Sequence, residues 1–186
     1  MYALKVVLSH FKRIKRDKMQ TEQKKEILVH VRWMIRRDMA DVLDIEENNF
    51  EFPWQEEDFL NCLRQRNCIG MVAEYEGRVV GFMVYENHRT RIHLLNFAVH
   101  PLCQCRGVGN QMVAKLISKL KTQRKTRIIL EVRETNVPAQ IFFRECGFRA
   151  VNIMPGFYGD TPEDYYMMIY RHQPEPKSNP PNISPR

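Results

Sequence analysis

Apolar residues recur along this chain with two periods, and the switches between them outline one folded domain. Residues 28–34, Leu-Val-His-Val-Arg-Trp-Met, alternate as a half-buried strand does. Met39, Val42, Leu43 and Ile45 then fall on one face of a helix, with Asp38 placed to cap its first turn. Phe52-Pro53-Trp54 breaks that helix, and a second over 55–66 turns Phe59, Leu60 and Leu63 inward. Runs at 68–75 and 79–85, joined at Glu76-Gly77-Arg78, predict a hairpin that the run at 92–99 extends into a meander. Met112, Val113, Leu116, Ile117 and Leu120 recur at helical spacing over 110–120. Residues 127–132, Arg-Ile-Ile-Leu-Glu-Val, are apolar and β-branched as a central strand is. Pro138 suits the first turn of a helix that continues through 139–146 and stops at Gly147. Residues 148–154 and 165–170 supply two last strands. The order β-α-α-β-β-β-α-β-α-β-β, without an internal repeat, predicts an α+β domain with a mixed sheet.

The stretch from 99 to 109, Val-His-Pro-Leu-Cys-Gln-Cys-Arg-Gly-Val-Gly, joins a buried strand to a helix. A strand, a short loop with two glycines and a helix together present unpaired main-chain N–H groups to an anion. Gly107 and Gly109 have no Cβ, so a phosphate oxygen can come close to the backbone. The loop therefore predicts a phosphate or pyrophosphate site. A dinucleotide fingerprint would need glycine where Met112 stands, and an early βαβ unit. A P-loop would need a Lys-Ser or Lys-Thr pair after its last glycine, and none follows. What remains is Q-x-x-G-x-G, Gln104 to Gly109, directly after a V-x-P strand end.

Length and composition narrow the function classes. At 186 residues the chain can bury a substantial core, and it holds no apolar run long enough to span a membrane. The five cysteines form no C-x-x-C pair, so they read as reduced thiols of a cytoplasmic protein, without a zinc site or a disulfide framework. No metal-ligating spacing is present, and no metal site is expected. Residues 1–25 carry eight basic side chains against Asp17 and Glu22, a net +6 out of the whole chain's +7. Residues 1–27 thus form a basic extension, a candidate contact for a ribosome, RNA or anionic lipid, or simply a solvated arm. A tail over 172–186, with five prolines after Gln173, is expected to be disordered.

Four local patterns occur in order: Phe52-Pro53-Trp54, Asn96 to Gly109, Leu130-Glu131-Val132-Arg133-x-x-Asn136, and Phe143-x-x-x-Gly147-Phe148. Together with the element order they resemble the GCN5-related N-acetyltransferases over about residues 28–171. The F-P-W and L-E-V-R-x-x-N runs resemble the bacterial branch that acetylates the N-terminal alanine of a ribosomal protein. The resemblance implies a mostly antiparallel central sheet flanked by helices, with acetyl-CoA as co-substrate and a protein N-terminus as acceptor. It implies that Gln104, Cys105, Arg106, Gly107, Val108 and Gly109 hold the pyrophosphate, mostly through N–H groups, with Arg106 adding charge. Asn96, Phe97 and Ala98 would run beside the pantetheine arm, their main chains pairing with its amides as an added strand does. Asn136 would contact the cofactor and also cap the following helix. Trp54 would either line the peptide groove or plug the core.

Acetyl transfer needs a neutral amine, yet an α-amino group has a pKa of about 8 and a lysine about 10.4. A base must take a proton, directly or through water, before the nitrogen attacks the thioester. The resemblance puts that base on Glu131, whose neighbours Leu130 and Val132 are expected to raise its pKa by desolvation. The family's general acid is a tyrosine twelve residues further on, where this chain has Phe143. Phenyl cannot protonate a leaving thiolate, so either solvent protonates it or another hydroxyl substitutes, Tyr158 being the nearest candidate by the family's layout, ahead of Tyr165 and Tyr166. Phe143 would still pack along the pantetheine. The scaffold also fits two other readings: transfer to a lysine or a small amine such as a polyamine, and a non-catalytic acyl-CoA-binding module.

Overall fold

The computed structural model describes residues 25–155 and 164–172, which leaves most of the basic extension, the Pro-rich tail and Tyr158 outside the described residues. The elements follow the predicted order: β1 (His30–Trp33), α1 (Met39–Asn49), α2 (Glu56–Leu63), β2 (Cys68–Tyr75), β3 (Arg78–Asn87), β4 (Arg91–Val99), α3 (Val108–Thr122), β5 (Arg127–Arg133), α4 (Val137–Glu145), β6 (Arg149–Met154) and β7 (Tyr165–Arg171). They form one seven-stranded sheet in the order β1-β2-β3-β4-β5-β7-β6. Every neighbouring pair is antiparallel except β4 and β5. The last strand therefore slips in between β5 and β6, an arrangement the linear order of elements does not specify.

Helices cover both faces of the sheet. Met112, Val113, Leu116 and Leu120 of α3 pack with Ala139 and Phe143 of α4 over one face, joined there by Ile92, Leu94, Ile128, Leu130 and Val132. Val42 and Ile45 of α1 and Phe59 and Cys62 of α2 cover the other, against Val72, Phe82, Val84 and Ala98. Trp54 is a core plug: it is buried and meets Phe59 edge-on at 5.2 Å.

One irregularity in β4 matters for everything that follows. Tyr85 pairs with Leu94 and Val84 with Asn96, which leaves Leu95 as a bulged residue. The extra residue shifts the alternation by one. Leu95 packs on the α1 side, Asn96 bonds to α1, and Phe97 and Val99 return to the α3 face shared with Ile92 and Leu94. Asn96 is fully buried and donates from Nδ2 to Glu46 Oε2 at 3.1 Å; Glu46 is also fully buried. The other Glu46 oxygen accepts the Trp54 main-chain N–H at 2.8 Å. A carboxylate taken out of water requires such donors, and removing one costs about 1–3 kcal/mol. These bonds tie α1, the Phe52-Pro53-Trp54 break and β4 together at one point.

Two local expectations are corrected. Asp38 does not cap α1 with its side chain. Its carboxylate accepts the Ile35 N–H at 2.8 Å and two guanidinium N–H groups of Arg32 at 2.7 and 2.9 Å, which binds β1 to the entrance of α1. Cys62, at the end of α2, and Cys68, at the start of β2, are joined as a disulfide, whereas Cys103, Cys105 and Cys146 are free. The expectation of reduced thiols throughout thus fails for one pair, because the turn between α2 and β2 returns the chain on itself. The Asn136 cap is as expected: Oδ1 accepts the Ala139 N–H at 3.2 Å. Ile27, placed in the extension by its sequence, is buried in the core.

Arg32 beside Asp38 holds the buried carboxyl below its ordinary value, its hydrogen bonds outweighing the opposing effect of burial. A carboxyl that titrates lower when folded stabilises the protein above its unfolded pKa and loses that contribution as pH falls through the folded one. Asp38→Asn should therefore lower stability at pH 7 and flatten the acid decline below about pH 4. Urea unfolding of both proteins at neutral and acid pH measures this; parallel acid limbs would remove the pair from the account.

Candidate active site

β4 and β5 are bonded only where they begin, Arg91, Ile92 and His93 against Arg127, Ile128 and Ile129. Beyond His93 the two strands part, so the main chain of β4 from Leu94 onward has β3 on one side and no strand on the other. Unpaired strand edges accept an extended ligand as an added strand. Phe97 and Ala98 lie on this edge. The Phe97 ring packs on Phe142 at 5.8 Å and Phe143 at 5.7 Å, which backs the opening with aromatic surface from α4. The Asn96 side chain, by contrast, points away to Glu46, so only its main chain can line the opening.

The glycine turn stands at the far end of β4. The Gln104 amide donates to Val99 O at 3.0 Å and to Asn49 Oδ1 at 2.9 Å, which pins the turn to the strand and to the end of α1. Cys105 at φ +58° and Gly107 at φ +79° bend the chain so that α3 begins immediately after Gly107. The first N–H groups of α3 point out of its N-terminus with the positive end of the helix dipole. Val108 is buried beneath the turn. Gly109 lies against α4, where a Cβ would come 3.0 Å from the Phe142 ring. Its missing side chain thus serves helix packing as well as anion approach.

Residues 25–29 strap this turn. Ile27 N–H donates to Arg106 O at 3.1 Å, and the Gln111 side chain bonds both Ile27 O at 2.7 Å and Val29 N–H at 3.0 Å. Arg106 turns its Nε to Lys25 O at 3.2 Å. A Cβ on Gly107 would sit 2.5 Å from Glu26 Oε1, so an anion reaching Gly107 meets a carboxylate that must swing aside.

Glu131 is on β5 just past the point of divergence and is 8% exposed. Leu130 and Val132 face the α3 side, so the apolar surroundings expected of them are not what Glu131 meets. Its partner is His93, with Nε2 2.7 Å from Glu131 Oε2. Asn136 caps α4 a few residues further on. Phe143 is fully buried among Phe97, Phe142 and Phe148, the last at 5.3 Å. Tyr158 lies outside the described residues. Of the two strand tyrosines, Tyr165 is the one turned inward, with the Arg133 guanidinium 5.9 Å from its ring. Arg133 also lies 5.8 Å from the Phe52 ring, which is 53% exposed. Phe52 and Tyr165 thus both lie against Arg133, two residues beyond Glu131 on β5.

Sequence reasoning missed His93, Phe142 and the Phe52–Arg133 contact. A lone histidine inside the run Ile92-His93-Leu94 was the available sign of the first. Nothing local marks the others, since they depend on which strands the fold makes neighbours.

A sheet that parts between two parallel strands, with a glycine turn and helix N-terminus at the end of one and a carboxylate on the other, defines an acetyl-CoA-dependent N-acetyltransferase. The sequence profile of the Acetyltransferase (GNAT) family matches residues 39–148, and the chain belongs to that family. It is 30% identical over 141 residues to an uncharacterized N-acetyltransferase of Methanocaldococcus jannaschii, covering 75% of this chain and 89% of that protein. It is 28% identical over 121 residues to the [ribosomal protein bS18]-alanine N-acetyltransferase of Salmonella typhimurium, covering 65% and 81%. The crystal structure of the ribosomal-protein-S18-alanine N-acetyltransferase from Escherichia coli shares the fold, with a TM-score of 0.70, 24% identity, and coverage of 77% of this chain and 94% of that one. Acetyl-CoA is the family's co-substrate, and fold neighbours have been solved with it bound. Among the described residues no helix is long and apolar enough to cross a membrane.

Cys105 is exposed on the glycine turn, whereas burial, with Glu145 adding to it, pushes the Cys146 thiol up to about 11. Alkylation at pH 7.5, about neutral, should therefore reach Cys105 well before Cys146. Acetyl-CoA should slow the labelling of Cys105. Mass spectrometry of the labelled peptides reads both effects, and equal labelling with and without acetyl-CoA would count against the turn as the pyrophosphate site.

Proposed function

We propose that this N-acetyltransferase acetylates the α-amino group of a protein N-terminus, with an alanine-starting ribosomal protein as the acceptor. The observation that carries the reading is Glu131 at the lip of the β4–β5 opening, 8% exposed and hydrogen-bonded to His93. Glu131 takes the amine proton, directly or through water, as the nitrogen attacks the thioester carbonyl. Main-chain groups of Phe97 and Ala98 hold the pantetheine, and those of Gln104 to Gly109 hold the pyrophosphate. Asn136 and Phe143 support the site from α4, Asn136 as its cap and Phe143 from beneath Phe97. Coenzyme A leaves as a thiolate, protonated by Tyr158, because Phe143 has no proton to give.

The choice of acceptor rests on relatives that act on a ribosomal protein alanine and on Phe52, Arg133 and Tyr165, which meet beside Glu131. An exposed ring with a guanidinium over it offers an extended peptide a flat apolar surface to lie on. A ribosomal acceptor places the enzyme in the cytoplasm and gives the basic extension an RNA surface to touch.

Thiol release from acetyl-CoA with a panel of acceptors tests this. Peptides beginning with alanine should turn over, with lysine, spermidine and N-terminally blocked peptides far slower. Glu131→Gln should bind acetyl-CoA normally and lose about 10²–10⁴-fold in rate with the same peptide, less at high pH where the amine deprotonates unaided. Preference for spermidine or lysine would overturn the acceptor. A Glu131→Gln rate within a few-fold of wild type would overturn the base.

A further inference from the structure

His93 stands between two carboxylates. Its Nε2 is 2.7 Å from Glu131 Oε2, and its Nδ1 is 3.8 Å from Glu86 Oε2. The same Glu86 oxygen is 2.9 Å from His88 Nε2. A neutral imidazole has one N–H and one lone pair. With the N–H on Glu131, as the shorter distance favours, the Nδ1 lone pair faces a carboxylate oxygen 3.8 Å away, a pair of donors that a bound cation would bridge.

The backbone explains why these groups meet. Glu86 and His93 are direct cross-strand partners on β3 and β4, and His88 is two residues beyond Glu86, so it falls on the same side of the hairpin. The hairpin is closed by His88 N–H on Arg91 O at 3.0 Å, and Lys125 Nζ bonds the His88 carbonyl, which leaves the imidazole to the cluster. One ligand atom from each of Glu86, His88 and His93 lies within 4.8 Å of the others, and all three side chains are half-buried. Ligands about 2.0–2.1 Å from a tetrahedral ion stand roughly 3.3 Å apart, so small side-chain rotations close the set.

We propose that Glu86, His88 and His93 bind a divalent transition-metal ion of the zinc class, leaving a fourth position for water. Two imidazoles and a carboxylate are borderline donors that suit zinc and its neighbours better than calcium or magnesium. Glu131 is then the outer carboxylate that fixes the His93 tautomer, the arrangement usual behind a metal-bound histidine. The sequence gives no sign of this site, because the ligands combine an i,i+2 pair with a residue on the next strand rather than a recognised spacing. The inference does not rest on Glu131 acting as the base.

The test is titration of the full chain with Co²⁺ alone, followed by displacement with Zn²⁺. One equivalent should give the visible d–d absorption of a low-coordinate nitrogen–oxygen site, bleached by zinc. His88→Ala and Glu86→Gln should each weaken binding at least about tenfold, and Glu131→Gln by a smaller factor through His93. Thermal melts of the apo variants check that each is folded; His88→Ala removes a half-exposed side chain and is the decisive one. Absence of the d–d band at sub-millimolar protein, near-ultraviolet sulfur-to-cobalt bands that place the ion on cysteine, or an unchanged affinity in folded His88→Ala would each overturn the proposal.

Discussion

The bulge at Leu95 places two successive residues of β4 on the α1 side, and Asn96 uses that placement to donate to the buried Glu46 carboxylate at 3.1 Å. Glu46 accepts from Trp54 with its other oxygen, so the break between α1 and α2 is held at the same point. The bulge also returns Phe97 to the α3 side, where it meets Phe142 and Phe143. Without the extra residue Asn96 would face an apolar core, and Phe97 would face α1. Bulges bend a strand and increase its twist. Here the bulged Leu95 stands two residues after His93, the last residue of β4 paired with β5, close to where the strands separate.

That separation divides the labour of the molecule. The α3 side supplies the glycine turn, the helix N-terminus and aromatic rings, all suited to a long anionic cofactor. The other side supplies Glu131, Phe52 and Arg133. β5 reaches the junction of the two with Glu131, whose carboxylate is hydrogen-bonded to His93. The cost is a sheet with only three residue pairs joining its halves, a narrow seam between β4 and β5. Packing of α3 across β3, β4 and β5 compensates, through Met112, Leu116 and Leu120 in one continuous core.

Much of this was legible in the chain itself. The helical spacing of Met112, Val113, Leu116 and Leu120 gives the buried face of α3, and Ile117 alone is less buried than its spacing suggests. Glu76-Gly77 adopts positive φ at the predicted hairpin, and Gly107 does so at the predicted turn. Local chemistry is enough for these. The bulge was hidden, because a run as apolar as Leu94-Leu95-Asn96-Phe97-Ala98 carries no phase to lose. Leu130 and Val132, expected to surround Glu131 because they flank it in sequence, lie in the core on the α3 side, since neighbours in sequence point to opposite faces of a strand. His93 and Glu131 are 38 residues apart and meet only because β4 and β5 are parallel. The Cys62–Cys68 pair likewise depends on a helix end and a strand start being brought together.

The central claim is that the parted edge of β4 and the turn into α3 form the acetyl-CoA site. Amide hydrogen exchange with and without acetyl-CoA tests it most directly, because it reports main-chain N–H groups and needs no substitution. The account predicts slower exchange confined mainly to residues 96–99 and 104–111, with β1, β2 and β6 unchanged. Slowing elsewhere with these two segments unaffected, or none at saturating acetyl-CoA, would contradict it.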